Sequence, residues 1–141
     1  EKGRSGGEIR PEAEDRQTHP TGGYLLVKRE VGDYIQDIVE AMENAENFLA
    51  DMSYDDLIHD TKTLYAVTRA LEIIGEAVKK IPDEVRSKYP HIPWKQMAGM
   101  RDKVIHEYFG VSPKRIWETV KRDIPAVRPI FEKMLKEIDS W

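Results

Sequence analysis

Between Leu64 and Ile81 the large aliphatic residues recur at alternating steps of three and four: Leu64, Val67, Leu71, Ile74, Val78 and Ile81. That spacing is a heptad-like seam, which only a helix packed against another helix can bury. Pro82 ends it, because proline has no N–H for an interior hydrogen bond. The same helical spacing holds between Val31 and Ala50, where Ile35, Ile38, Val39, Met42, Phe48 and Leu49 fall on one side and Ala45 fills the gap. Ser53 ahead of Asp55 and Asp56 predicts a capped short turn through Ile58, and Asp60 opens the seam helix. Asp83 to Lys88 reads as one charged turn, followed by a connector to Pro93. Pro93 suits the first turn of a helix through Trp94, Met97, Met100, Val104 and Ile105 to Phe109, which Gly99 is expected to bend and Gly110 to stop. Ser112 and Pro113 open a last helix that buries Ile116, Trp117, Val120, Ile124, Val127, Ile130, Phe131, Met134 and Ile138, with Pro125 and Pro129 kinking or splitting it near Asp123. No segment alternates in the manner of a half-buried strand. The predicted fold class is all-α, an up-and-down bundle of four or five helices.

Residues 1–23 carry five glycines and two prolines among many charges, with Ile9 as their one large aliphatic before Tyr24. Such a stretch cannot bury enough surface to offset its ordering entropy. It is expected to be a flexible tail, partly of the kind left by cloning, ahead of a helical domain at 24–141. The chain of 141 residues has no cysteine, which excludes disulfide scaffolds, thiolate metal sites and a cysteine nucleophile. With no apolar run of membrane-spanning length and no apolar signal core, a soluble cytoplasmic protein is expected. The formal charge of −4 argues against a broad basic face for duplex binding, but not against a few local cations around an anion.

His19, His59 and His91 lack metal-ligand spacing, and no phosphate-binding glycine loop or calcium loop is present. Neither a metal nor a cofactor is expected. The methionines read as core filler. One stretch stands apart, Gly99-Met-Arg-Asp-Lys-Val-Ile-His-Glu-Tyr-Phe-Gly110, which gathers a fixed cation, a carboxylate, a titratable base and a phenol in Arg101, Asp102, His106 and Tyr108. On a regular helix Asp102 and His106 lie about 40° apart, so the carboxylate can fix the imidazole tautomer. Arg101 is about 140° round from His106. One straight helix does not aim both at one small atom unless the arginine reaches round, Gly99 distorts the helix, or a second copy contributes. By spacing alone a surface ion-pair cluster accounts for the pattern better than a catalytic site does.

The arrangement Arg101…His106-Glu107-Tyr108 resembles the R-x4-6-H-x-Y motif of the HEPN superfamily, and specifically its HepT-like toxin branch. Tyr65-Ala-Val-Thr-Arg69-Ala-Leu-Glu-Ile-Ile-Gly75-Glu-Ala, Ile92-Pro-Trp94 and Met97 to Gly110 resemble that branch in its usual order, over roughly Val31 to Ile138. The resemblance implies a helical bundle that forms a homodimer with its motif helices facing across a cleft. It implies metal-independent cleavage of RNA, with Arg101 and His106 as the catalytic pair and Asp102 in support. It also implies a toxin–antitoxin partnership of the type VII kind, in which an MntA-like minimal nucleotidyltransferase neutralises the toxin by AMPylation of Tyr108. The residue types suit that chemistry: histidine can take the 2′-hydroxyl proton, and arginine can stabilise the charge that grows on phosphorus. DNA has no such nucleophile. Two other readings stay open on the residues themselves. One is a noncatalytic dimer module that binds a nucleotide or a protein partner. The other is a structural motif, with Arg101 and Glu107 in ion pairs and Tyr108 half-buried.

Overall fold

The computed structural model describes the backbone of residues 20–106 and 112–141, and the side chains of 27–100 and 112–141. The chain divides into two units after Glu30, and helix α1 (Pro20–Phe48) crosses the division. In the first unit the described part is the helical stretch 20–30, so residues 20–23, expected in the tail, are helical. The expectation for residues 1–19 lies outside the described residues. Proline at the first helical position is compatible with this start, whereas the adjacent Gly22 and Gly23 hide it from a propensity reading.

The second unit, from Val31, is all-α among the described residues. Ser53 caps α2 (Tyr54–Ile58) through a reciprocal box in which its hydroxyl accepts from Asp56 N–H and the Asp56 carboxylate accepts from Ser53 N–H. Asp60 caps α3 (Thr61–Lys79), its carboxylate accepting from both the N–H and the hydroxyl of Thr63. The charged turn is a short helix, α4 (Asp83–Arg86), entered through Pro82. Helix α5 (Trp94–His106) then packs along α3. Phe109 and Gly110, its expected end, lie outside the described residues.

Ser112 accepts from Arg115 N–H to open α6 (Pro113–Glu118), which passes through a π-helical turn at Thr119–Asp123 into α7 (Ile124–Glu137) and a closing 3-10 turn at Ile138–Ser140. The expected kink near Asp123 is therefore a widened turn, in which Ile124 N–H donates to Thr119 O five residues back. Pro125 follows at once and has no N–H with which to resume the α-pattern, so the turn absorbs the mismatch.

One core joins the elements. Ile35, Ile38, Met42, Ala45 and Leu49 of α1 meet Val67, Leu71, Ile74 and Val78 of α3. Met97 of α5 and Ile116, Val120, Ile124, Phe131 and Met134 of the last helices close it. Burying each large aliphatic contributes about 1.5–3 kcal/mol. Leu64, Met100, Trp117, Val127 and Ile130, expected in the core, are only partly buried. Phe48, also expected in the core, is 43 % exposed, whereas Ala45 and Leu49 beside it are fully buried.

Candidate active site on helix α5

Helix α5 is held at its start by a tryptophan. Trp94 is buried, donates from Nε1 to Tyr89 O at 3.0 Å, and meets Phe131 edge-on with ring centroids 5.6 Å apart. Above it stands the Arg86 guanidinium, 5.8 Å from the ring centroid. Arg86 also donates from Nε to Ile81 O at 3.0 Å and from Nη2 to Val78 O at 2.9 Å, closing the C-terminal end of α3. Tyr89 donates its hydroxyl to Glu137 at 2.7 Å, which ties the connector to α7. Burial first, and that hydrogen bond second, push the Tyr89 phenol above its usual range. Sequence reasoning treated this stretch as a charged turn and a connector. It is a bracket that fixes where α5 begins.

From that anchor the helix runs without interruption through Gly99 to His106. A Cβ built at Gly99 meets no heavy atom within 4 Å among the described residues, and Lys95 is exposed. Lys95 is on the solvent side of α5, and Trp94 and Met97 are on its core side. By register along the backbone, Asp102 and His106 are one turn apart and about 40° round from each other, and Arg101 is about 140° round from His106. Tyr108 lies outside the described residues.

Met97 and Met100, read from sequence as core filler, are engaged within the chain. Met97 is in the core and Met100 is partly buried. Both line a cavity of about 300 Å³ with Met42, Ile74, Thr119 and Val127. The walls are mainly aliphatic and Asp123 is their one charged residue among those described, so the cavity has nothing to grip a phosphate. No cluster of three or more metal-ligating side chains occurs among the described residues, and no described helix is long and apolar enough to cross a membrane.

The family model described as "Ribonuclease HepT-like" matches residues 38–134, most of the second unit. The chain belongs to the HepT-like ribonuclease family. A Methanocaldococcus jannaschii protein named "Putative RNase MJ1216" is 51 % identical over 115 residues, covering 82 % of this chain and 95 % of the relative. A Thermococcus cleftensis protein named "Probable ribonuclease HepT" is 51 % identical over 110 residues, covering 78 % of this chain and all of the relative. The chain matches no solved structure at a significant level. The matched region includes Arg101, Asp102, His106 and Tyr108, together with the Trp94 bracket at the start of α5.

Proposed function

We propose that this HepT-like chain is a metal-independent endoribonuclease that acts as the toxin of a toxin–antitoxin pair. The observation that carries the reading is the Arg101…His106-x-Tyr108 sequence in a chain of this family, with Arg101 and His106 on the unbroken helix α5. His106 takes the proton of an RNA 2′-hydroxyl. The freed oxygen bonds to the adjacent phosphorus, the 5′-oxygen of the next nucleotide departs with a proton, and a 2′,3′-cyclic phosphate and a 5′-hydroxyl remain. Arg101 pairs with the phosphate oxygens through a planar fork that stays charged at every working pH. Asp102, one turn before His106, accepts from the imidazole and fixes its tautomer.

On an unbroken α5, Arg101 and His106 of one copy are about 140° round from each other. A two-fold pair of chains resolves this, with Arg101 of one copy and His106 of the other meeting at one phosphate. The open strip at Gly99 leaves room for such an approach. An MntA-like nucleotidyltransferase antitoxin fits the same site: AMP on Tyr108 puts a bulky anion where the substrate phosphate must sit.

The test is expression at matched levels of wild type, Arg101→Ala, His106→Ala and Arg101→Lys. Each alanine variant should abolish growth arrest with the helical signal intact, since one lost transition-state contact costs about 100- to 1000-fold. Lysine should rescue poorly, because it lacks the fork. Toxicity that survives in the alanine variants refutes the assignment.

A further inference from the structure

The core of the second unit is not filled throughout. The cavity of about 300 Å³ runs from fully buried Met42 and Ile74 to the surface, where Asp123 and Ala126 are exposed. Protein interiors pack as closely as organic crystals and leave few voids larger than a water molecule. A space of this size is about twice the apolar cavity that accommodates one benzene, so it has room for about eight to twelve carbons.

Its walls decide what can enter. Met42, Met97 and Met100 are flexible side chains that adapt to an irregular occupant. Among the described lining residues Thr119 and Asp123 are the two with polar side chains, so water inside finds few partners. Both belong to the π-helical turn, a rare element that recurs as single turns at functional sites. No described lysine or arginine lines the space. Arg122 Nε stands 3.7 Å from Asp123 Oδ1, but both side chains are largely exposed, and such a solvated pair leaves the carboxylate open to exchange.

We propose that this cavity binds a small cationic amphiphile: a protonated primary alkylamine whose chain of about eight carbons lies against the methionines and whose ammonium meets the Asp123 carboxylate at the mouth. Burial of the chain supplies the affinity. The carboxylate selects the head, because a fatty acid of equal length brings a like charge to Asp123. The site does not depend on the ribonuclease reading. Met100 directly precedes Arg101, so the occupant sits against the helix that carries the motif arginine.

The probe is octylammonium, titrated into the full chain labelled with carbon-13 at the methionine methyls, with octanoate and 1-octanol as comparisons. The five methionines divide cleanly: Met42, Met97 and Met100 line the cavity, whereas Met52 and Met134 do not. Saturable shifts should appear at the first three resonances and not at the other two. Each methylene added between hexylammonium and octylammonium should tighten binding about fourfold. Octanoate should bind about 3- to 10-fold more weakly than octylammonium, and Asp123→Asn should erase that preference while leaving 1-octanol unchanged. Val127→Phe, which fills the cavity from its partly buried wall, should weaken all three ligands at least tenfold with the helical signal intact. No saturable shift below about 1 mM overturns the site. Equal shifts at Met52 and Met134, octanoate binding as tightly as octylammonium, or full affinity in natively folded Val127→Phe overturns it too. Binding that disappears as the chain is concentrated into a dimer assigns the cavity to a second copy and likewise overturns it.

Discussion

Replacing Arg86 by alanine should unfold the bracket that starts α5. Two hydrogen bonds from a charged donor, to Val78 O at 2.9 Å and Ile81 O at 3.0 Å, disappear together with the guanidinium over Trp94. Shielded bonds from a charged donor contribute about 1.5–3 kcal/mol each, and a cation over an aromatic ring about 0.5–2 kcal/mol. Arg86 is half-buried, so water can reach the freed carbonyls and the sum falls to about 2–4 kcal/mol. For a chain of this size that lowers the melting temperature by roughly 10 °C. Arg86→Lys should recover less than half, because an ammonium cannot serve both carbonyls and lie flat on the ring. Thermal melts by circular dichroism, with urea titration for the free energy, measure this directly. A loss below about 0.5 kcal/mol for Arg86→Ala would mean the bracket is ornamental, as ordinary surface substitutions are.

The remaining predictions concern pH, association and modification. The hydrogen bond from Thr63 N–H, with that from its hydroxyl next, lowers the Asp60 carboxyl below its ordinary value. A depressed folded pKa contributes stability above the unfolded value, lost as pH falls through the folded one. Wild type should accordingly lose its advantage over Asp60→Asn below about pH 4 in parallel urea titrations, and a constant gap would refute the cap's role. Gly99→Ala should raise stability by up to about 1 kcal/mol, since its methyl group meets open space and alanine is the better helix former. Gly99→Arg should shift sedimentation from dimer to monomer, and wild type that sediments only as monomer refutes the paired site. Coexpression with a cognate nucleotidyltransferase should add the mass of AMP to wild type and not to Tyr108→Phe; a modified peptide carrying Tyr65 or Tyr89 instead would remove Tyr108 from regulation.

What the sequence discloses on its own is a set of short-range devices. The Ser53–Asp56 box, the Asp60 cap, Ser112 ahead of Pro113 and the seam from Val67 to Ile81 are each set by neighbours within a turn or two. Local spacing is sufficient for them. The angular divergence of Arg101 and His106 was legible for the same reason, because it follows from helical geometry once the helix is unbroken. Hidden features depended on partners distant in sequence. Arg86 reads as one more surface charge until Trp94 lies beneath it, and Lys121 does so until Leu49 O and Trp117 come within reach. Gly99 carries the local signature of a bend, yet the helix continues through it without a break to His106. Pro125 announced a disturbance, but not that one extra residue in the preceding turn would absorb it.

The most direct test of the central claim is the chemistry of the RNA ends left by the purified chain in excess chelator. The account predicts fragments with 2′,3′-cyclic phosphate and 5′-hydroxyl termini. It further predicts that Arg101→Ala and His106→Ala, each inactive alone, regain activity when mixed, since the hybrid pair holds one site with both wild-type side chains. Ends bearing 5′-phosphate, cleavage that stops in chelator, or undiminished cleavage by either variant alone would contradict it.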